Sequence, residues 1–162
     1  MRTIIAFVVS ICVVAFIIGC GRSSRPSDLP PLYPCAVIVT QDGQPLDGAV
    51  VDFVAVDAAN AKYQASSVTD ANGKAVVTTY GYNGVPAGRY KVCVWKTVIE
   101  GVTQVVNNDG ELVDTMGAEY RTVEPQYSNA ETTPLEIEIT GKKMPPTSFD
   151  VGKPIKERKS SS

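Results

Sequence analysis

Histidine is absent from this sequence of 162 residues. Its absence removes the commonest general base and the commonest metal ligand of proteins, together with the Ser-His and Cys-His nucleophile pairs. Most familiar enzyme mechanisms are therefore closed to the chain. We expect no catalytic residue, no bound metal and no cofactor.

Basic charge is also in short supply, because 15 Lys and Arg residues face 17 Asp and Glu residues and the formal net charge is −2. Nucleic-acid binding depends on basic side chains that neutralise phosphates. The chain carries no such excess, so we expect no nucleic-acid partner. With 44% hydrophobic and 20% charged residues, the composition is that of one ordinary globular domain.

The sequence has one long apolar run, at residues 4–18, directly after Arg2. The run is shorter than the ~20 residues of a usual membrane-spanning helix. Its positive start and the small residue at its end are typical of a secretory signal peptide. An uncleaved anchor helix is the alternative.

The end of this run, Ile17-Ile18-Gly19-Cys20, resembles the lipobox of bacterial lipoproteins. In that family the signal is cut before the cysteine, which then carries diacylglycerol and usually an N-acyl chain. The resemblance implies that residues 1–19 are a helical lipoprotein signal peptide and that Cys20 is the lipidated mature N-terminus. It also implies a membrane-anchored protein of the bacterial cell envelope, because acyl chains of this size hold a protein on a bilayer.

Two further segments have little apolar content. Residues 20–32 are rich in Ser, Arg, Pro and Gly, which cannot bury enough surface to fold, and we expect a flexible tether. Residues 152–162 combine basic side chains with three final serines, and we expect a disordered basic tail. The folded domain is thus predicted at residues 33–151.

Residues 33–151 show the short, turn-bounded runs of an all-β protein. Asn72-Gly73 lies between two β-favouring runs and predicts a two-residue hairpin turn with positive φ at both positions. In the following strand Tyr90, Val92 and Val94 share one face. We predict a small β-sandwich with strands at residues 33–40, 49–56, 63–69, 75–80, 90–97, 135–140 and 148–151.

The strand periodicity fades in residues 98–133, which contain Asn107-Asn108-Asp109-Gly110 and several isolated aromatic residues. A structureless loop of this length is uncommon in a compact domain. The segment is therefore either a decorated insertion or the functional loop.

Three segments of the predicted domain resemble the carboxypeptidase regulatory-like domains of secreted bacterial proteins: residues 43–51, 69–74 and 86–92 (GQPLDGAVV, TDANGK and PAGRYKV). The stretches at residues 124–128 and 132–135 further resemble the C-terminal part of single-domain lipoproteins of this kind from planctomycete-type bacteria. The resemblance implies a transthyretin-like or prealbumin-like Greek-key β-sandwich of about seven strands. It also implies an accessory, adhesive or structural module rather than a catalyst.

Cys35 and Cys93 both lie on predicted strands. An even pair in an oxidising compartment can form a disulfide. Free buried cysteines, however, commonly serve as small hydrophobic residues, and the sequence does not give the Cα separation that a bridge needs. A disulfide and two free thiols both stay open as hypotheses.

Two kinds of binding residue can be sought in the predicted domain. Aromatic rings suit sugar stacking or partner binding, with Tyr82 and Trp95 as the main candidates, although core packing is the commoner role of such residues. The segment Asp70-Ala71-Asn72-Gly73 has the spaced oxygen side chains of a calcium loop. It lacks the later ligands and the closing Glu, so we expect a plain turn and no metal.

The sequence thus predicts a non-catalytic, lipid-anchored protein of the cell envelope with a structural or binding role. Its expected partners are the membrane, through the anchor, and an envelope protein or glycan. Two alternatives remain: an accessory subunit of an envelope hydrolase that acts through residues 98–133, and a carbohydrate-binding module.

Overall fold

The computed structural model describes residues 25–142 and 144–159. Within those ranges the chain forms strands, turns and one 3₁₀ helix, without any α-helix, so the all-β prediction is confirmed. No helix in this part of the chain is long and apolar enough to cross a membrane. The predicted signal peptide and the lipidation site Cys20 lie outside the described residues.

Most strands are short, and each run predicted as a strand overlaps at least one strand of the structure. In chain order they are β1 (Leu32–Tyr33), β2 (Ala36–Gln41), β3 (Gln44–Pro45), β4 (Val50–Ala55), β5 (Ala65–Val68), β6 (Lys74–Val76), β7 (Thr78–Thr79), β8 (Tyr82–Asn83), β9 (Val85–Pro86), β10 (Gly88–Trp95), β11 (Thr97–Glu100), β12 (Gln104–Val106), β13 (Leu112–Asp114), β14 (Ala118–Arg121), β15 (Glu136–Ile139), β16 (Thr147–Asp150) and β17 (Glu157–Arg158). The 3₁₀ helix spans Pro125–Ser128.

The largest sheet has six strands in the order β15-β10-β4-β5-β7-β8, and all of its pairs are antiparallel. The eight-residue β10 is its longest strand and lies next to the edge strand β15. Because side chains of a strand alternate between the two faces, Tyr90, Val92 and Val94 are buried while the intervening residues face outward. The edge strand β15 repeats the pattern, with Ile137 and Ile139 buried and two glutamates exposed.

A second sheet is built around β2, which pairs with β3 and β6 in antiparallel fashion and with β16 in parallel fashion. Its buried side chains and those of the six-stranded sheet join in one hydrophobic cluster. An all-β arrangement with two sheets around a shared core is compatible with a β-sandwich. The cluster consists of Cys35, Val37, Val39, Leu46, Ala49, Val51, Phe53, Ala65, Ala75, Val77, Val85, Tyr90, Val92, Val94, Val123, Ile137, Ile139, Phe149 and Val151.

The turn at Asn72-Gly73 differs from the predicted hairpin. Only Gly73 has a positive φ, of 71°, and the turn is closed by Asp70, whose N–H donates to the Lys74 carbonyl at 2.9 Å. It connects β5 of the large sheet to β6, which pairs with β2 of the other sheet. The turn therefore carries the chain across the core, and β5 finds its partner later in β7.

Residues 97–121, called the arm below, are structured, although the strand periodicity of this segment is weak. The strand β11 pairs with β14, and β12 pairs with β13 farther out, in one long antiparallel hairpin. The outer strands β12 and β13 contact chiefly each other. The segment was hard to predict because apolar residues lie on both faces of an exposed hairpin, which removes the usual alternation.

The basic tail, for which the composition predicts disorder, contains a short strand within residues 152–159. Its strand β17 pairs with β14 of the arm. Ion pairs accompany this pairing, since Lys156 lies 2.7 Å from Glu100 and Lys159 lies 3.2 Å from Glu119. Strand pairing with the arm, accompanied by these exposed ion pairs, thus holds a segment whose own composition has little folding preference.

Candidate functional site

Trp95 lies at the end of β10, on the face of the large sheet that points away from the core. Successive side chains of a strand point to opposite faces, so Trp95 lies on the face opposite to that of the buried Val94. Of the Trp95 surface, 39% is exposed to solvent. The indole Nε1 donates to Asp52 Oδ2 of the neighbouring strand at 3.2 Å. This hydrogen bond orients the ring while a large part of it stays open to solvent.

An open cleft of about 270 Å³ lies beside Trp95 where the arm joins the domain. Its walls come from the end of β10, both strands of the arm base, the end of the 3₁₀ helix and the residue after β17. Segments far apart in sequence therefore build one site. The lining residues are Trp95, Lys96, Thr97, Arg121, Ser128 and Lys159.

The cleft lining is cationic, with three basic side chains and no carboxylate. The Lys96 ammonium donates to the main-chain carbonyl of Asp47 at 2.7 Å. The other two basic side chains meet carboxylates behind the lining: Arg121 lies 3.5 Å from Glu157, and Lys159 lies 3.2 Å from Glu119. Exposed pairs of this kind are weak and leave donor groups open to a ligand.

The structure separates the two aromatic residues that the sequence made candidates for one binding surface. Tyr82 lies on β8 at the far edge of the large sheet, in register with buried Thr79. Thr79 is in turn paired with buried Ala65, so this register position belongs to the inner face of the sheet. Trp95 lies near the other edge on the outer face. Only Trp95 therefore belongs to the cleft.

Cys35 and Cys93 are both buried, and both are free thiols in the structure. Cys35 belongs to the hydrophobic core, whereas Cys93 alternates with the core residues Val92 and Val94 and faces the other side of the sheet. A sheet thus separates the two side chains, and the disulfide considered from the sequence is not formed. Burial raises the pKa of the Cys35 thiol to about 11, and it also raises the pKa of Cys93, with nearby Asp52 adding to the effect.

The segment with a resemblance to a calcium loop forms a turn. Asp70 Oδ1 accepts hydrogen bonds from the backbone N–H groups of Asn72 and Lys74, both at 2.9 Å. This carboxylate is therefore occupied by its own turn. Across residues 25–142 and 144–159, no group of three or more acidic or cysteine side chains is placed to hold a metal ion.

The arm exposes a large apolar surface. Met116 is fully exposed, and the exposed fractions of Ile99, Val106 and Leu112 are 66%, 65% and 68%. Contiguous apolar exposure is unusual on a soluble protein and commonly marks an interaction surface. Val102, Val105 and Val113 add to this surface.

Sequence reasoning missed four residues of the cleft: Lys96, Thr97, Arg121 and Ser128. The available signal was weak. Arg121 is the first basic residue after Lys96, so no lysine or arginine occurs between them. That gap marks where the arm begins and ends, but it does not show that the two ends meet.

The fold and the cleft define the class of molecule: an all-β protein with an aromatic and cationic cleft at the base of a protruding β-hairpin. Comparison of the chain with protein-family models, with curated proteins and with solved structures gives no match.

Proposed function

We propose that this chain is a lipid-anchored, non-catalytic protein of the bacterial cell envelope, with a structural or binding role. One observation carries the proposal: Gly19-Cys20 ends the apolar run of residues 4–18 and is followed by a polar tether. The all-β body that follows the predicted tether suits a non-catalytic module, because the chain has no histidine to act as a general base. A cysteine acylated on its thiol and its amine has enough buried methylene groups for lasting membrane attachment.

The proposal includes a transthyretin-like Greek-key sandwich of the carboxypeptidase regulatory-like type. Three features support it: the two sheets around a shared core, the turn at Gly73, and the position of residues 86–92 at the start of the long strand β10. The last two features fall on segments that carry the resemblance. The fold alone names no ligand, since sandwiches serve many roles.

Inhibition of the lipoprotein signal peptidase with globomycin tests the anchor. We expect the unprocessed precursor to accumulate, and we expect mass spectrometry of the mature N-terminal peptide to find acyl chains on Cys20. The variant Cys20→Ser should lose both acylation and membrane attachment. The variant Cys12→Ser is the matched control, because it removes a cysteine within the signal and should keep both. A soluble product that is cut elsewhere would contradict the anchor.

A second candidate function, an accessory subunit of an envelope hydrolase, is favoured by the chemistry of the arm. Residues 97–120 contain no lysine or arginine and five acidic residues, which are Glu100, Asp109, Glu111, Asp114 and Glu119. An apolar and acidic hairpin with free strand edges complements a basic, apolar strand edge of a partner enzyme. A second copy of the acidic arm, or an anionic bilayer, would instead repel the arm.

Deletion of residues 101–116 tests this candidate in an envelope fraction that hydrolyses wall polymer. If the arm docks the chain on a hydrolase, hydrolysis should fall on deletion and also in the variant Leu112→Ser. The matched control Val76→Ser changes an exposed valine on the body of the domain, with 50% exposure, and should have no effect. Unchanged hydrolysis in both arm variants would exclude this role.

A further inference from the structure

We propose that the cleft beside Trp95 binds an acidic saccharide, through a sugar ring on the indole and a sugar carboxylate among the basic side chains. This inference rests on the binding role proposed above and does not depend on the lipid anchor. It combines two sequence features, an aromatic residue and a basic tail, that are 64 residues apart at Trp95 and Lys159 and that line one cleft in the structure.

The tryptophan provides the stacking surface. An indole ring offers large apolar area at little cost in side-chain entropy, and the C–H face of a pyranose matches it in size. The hydrogen bond from Nε1 to Asp52 fixes the ring before a ligand arrives. A ring that is already oriented loses less entropy on binding than a free one.

The basic side chains provide the charge selectivity. The cleft lining carries Lys96, Arg121 and Lys159 and no carboxylate, while Glu157 and Glu119 lie behind it as partners of Arg121 and Lys159, so a negative group in the cleft would meet the cations first. Of their hydrogen-bond donors, the Lys96 ammonium commits one to Asp47, and the Arg121 guanidinium is held only by a 3.5 Å ion pair. An arginine can bind a carboxylate with two parallel hydrogen bonds, which adds geometric selectivity.

A hydroxyl group completes the polar lining on the side of the 3₁₀ helix. Ser128 Oγ donates to the carbonyl of Pro125 at 2.8 Å, so its hydroxyl oxygen can still accept a hydrogen bond. Sugar hydroxyls donate readily to such an acceptor. The cleft thus offers one stacking surface, one acceptor and a cationic group, which are the features that an acidic sugar requires.

Two other anionic ligands fit less well. Nucleic acid needs a tract of phosphate-neutralising side chains, whereas the basic residues here form a single small group on a chain of net charge −2. A lipid headgroup of the anchoring membrane would have to reach the far end of the domain. The described N-terminal segment enters beside β9, at the start of β10, and the cleft lies at the end of β10.

The sequence contains a single tryptophan, so intrinsic fluorescence reports directly on this cleft. The mature lipidated protein in detergent micelles is titrated with tetragalacturonate and, separately, with the neutral galactose tetramer of the same length. We expect a saturable change in Trp95 emission with the acidic sugar and at least tenfold weaker binding of the neutral one. The affinity should fall as salt rises, because screening weakens exposed charge interactions.

Matched variants test the assignment of residues. Arg121→Gln should weaken tetragalacturonate binding at least fivefold, whereas Lys142→Gln removes an exposed lysine outside the cleft and should leave it unchanged. Binding to Trp95→Ala, followed by calorimetry because the fluorophore is lost, should be abolished, and Trp95→Phe should retain part of it. Circular dichroism of each variant checks that the sheet persists.

The results that would overturn the inference are equal binding of the acidic and neutral tetramers, no binding of either one, or full binding by Arg121→Gln. Tighter binding of a single-stranded oligonucleotide with the same number of charges would also overturn it, in favour of nucleic acid. Because acylation of Cys20 is measured separately by mass spectrometry, failure of the saccharide leaves the anchor proposal intact and testable.

Discussion

At the scale of single residues, the tightest constraint lies at Gly73, where the chain crosses from one sheet to the other. A Cβ atom at this position would lie 2.3 Å from the carbonyl oxygen of Val39, and the backbone N–H of Val39 donates to the Gly73 carbonyl at 2.7 Å. The residue is therefore fixed both by its φ of 71° and by the backbone of β2 against it. No side chain can be accommodated without moving that strand.

We predict that Gly73→Ala lowers the free energy of unfolding by about 3 kcal/mol or more, as a combination of left-handed strain and a backbone clash. Gly43→Ala is the matched control, because Gly43 has a similar φ of 74° with no atom within 4 Å of the added Cβ. Its loss should be about 1–2 kcal/mol, from backbone strain alone. Urea unfolding followed by circular dichroism measures both values, and equal losses would show that the contact with Val39 is unimportant.

The hydrogen bonds of Asp150 make the stability of the folded protein depend on pH. Its Oδ2 accepts from the Thr40 hydroxyl at 2.7 Å and from the Gly43 N–H, and its Oδ1 accepts from the Gly152 N–H at 2.8 Å. The Thr40 hydrogen bond is the main cause, with the backbone N–H groups, of a pKa below the usual 3.8. Because the folded state holds the ionised form, its contribution is present above pH 3.8 and is lost as the pH falls through the lowered value.

Accordingly, Asp150→Asn should be less stable than the parent by a constant amount between about pH 5 and 7, and the difference should shrink below about pH 4. Unfolding free energies from urea titrations across that range give the measurement. A difference that stays the same down to pH 2 would show that ionisation of Asp150 does not contribute. Thr40→Val should reproduce part of the loss, since it removes the strongest of the three donors.

The two buried cysteines allow a chemical test. Thiolate is the reactive form, and burial raises the pKa of Cys35 to about 11 and also raises that of Cys93. In the lipidated protein at pH 8, both thiols should resist iodoacetamide in the native state and react fully in urea without any reductant. Cys93→Ser is the matched variant and should leave one reactive thiol. If no thiol reacted in urea until reductant was added, the free-cysteine state would be refuted.

At the scale of elements, the strands that could be predicted from the sequence are those with one buried face and one exposed face. In β15 the alternation of Glu136 and Glu138 with Ile137 and Ile139 predicted both the strand and its orientation, and the structure agrees. The arm gave no such signal because adjacent Val105 and Val106 are both exposed. The cleft could not be predicted from the sequence for another reason, because its residues are brought together only by the pairing of β11, β14 and β17.

The tail strand β17 should protect the arm. The strand pairs with β14. In addition, the ammonium of Lys156, just before the strand, lies 4.7 Å from the ring centre of Tyr120 and close to the Glu100 carboxylate. Removal of residues 153–162 would expose an edge of the arm sheet, and a two-stranded hairpin is only marginally stable alone. Amide hydrogen exchange across residues 97–121 should therefore become at least tenfold faster, while exchange in β10 stays unchanged.

The double variant Lys156→Gln and Lys159→Gln separates charge from strand pairing in this test. Exposed ion pairs contribute little each, so the arm should exchange only slightly faster, by about twofold to fivefold. Lys153→Gln is the control, because this lysine lies before the strand and should change nothing. If the truncated protein kept the exchange rates of the parent arm, the tail would not be a structural part of it.

At the scale of the whole molecule, the arm and the described N-terminal segment lie at opposite ends of β10. The strand β1, which follows the tether, pairs with β9 immediately before β10 begins, and the arm starts two residues after β10 ends at Trp95. Eight residues of extended chain separate the two ends by about 26 Å. On the proposed anchor at Cys20, we therefore expect the cleft and the apolar arm to lie at the end of the domain away from the membrane.

This arrangement predicts what a bilayer-bound probe can reach. With the lipidated protein in vesicles, a fluorophore placed by Asn108→Cys at the arm tip should not be quenched by a quencher attached to lipid headgroups. The same fluorophore placed by Ser27→Cys, within the predicted tether, should be quenched strongly. Cys35 and Cys93 are buried and should stay unlabelled. Strong quenching at both positions would mean that the domain lies on its side, and the arm would then face lipid instead of the envelope partners proposed for it.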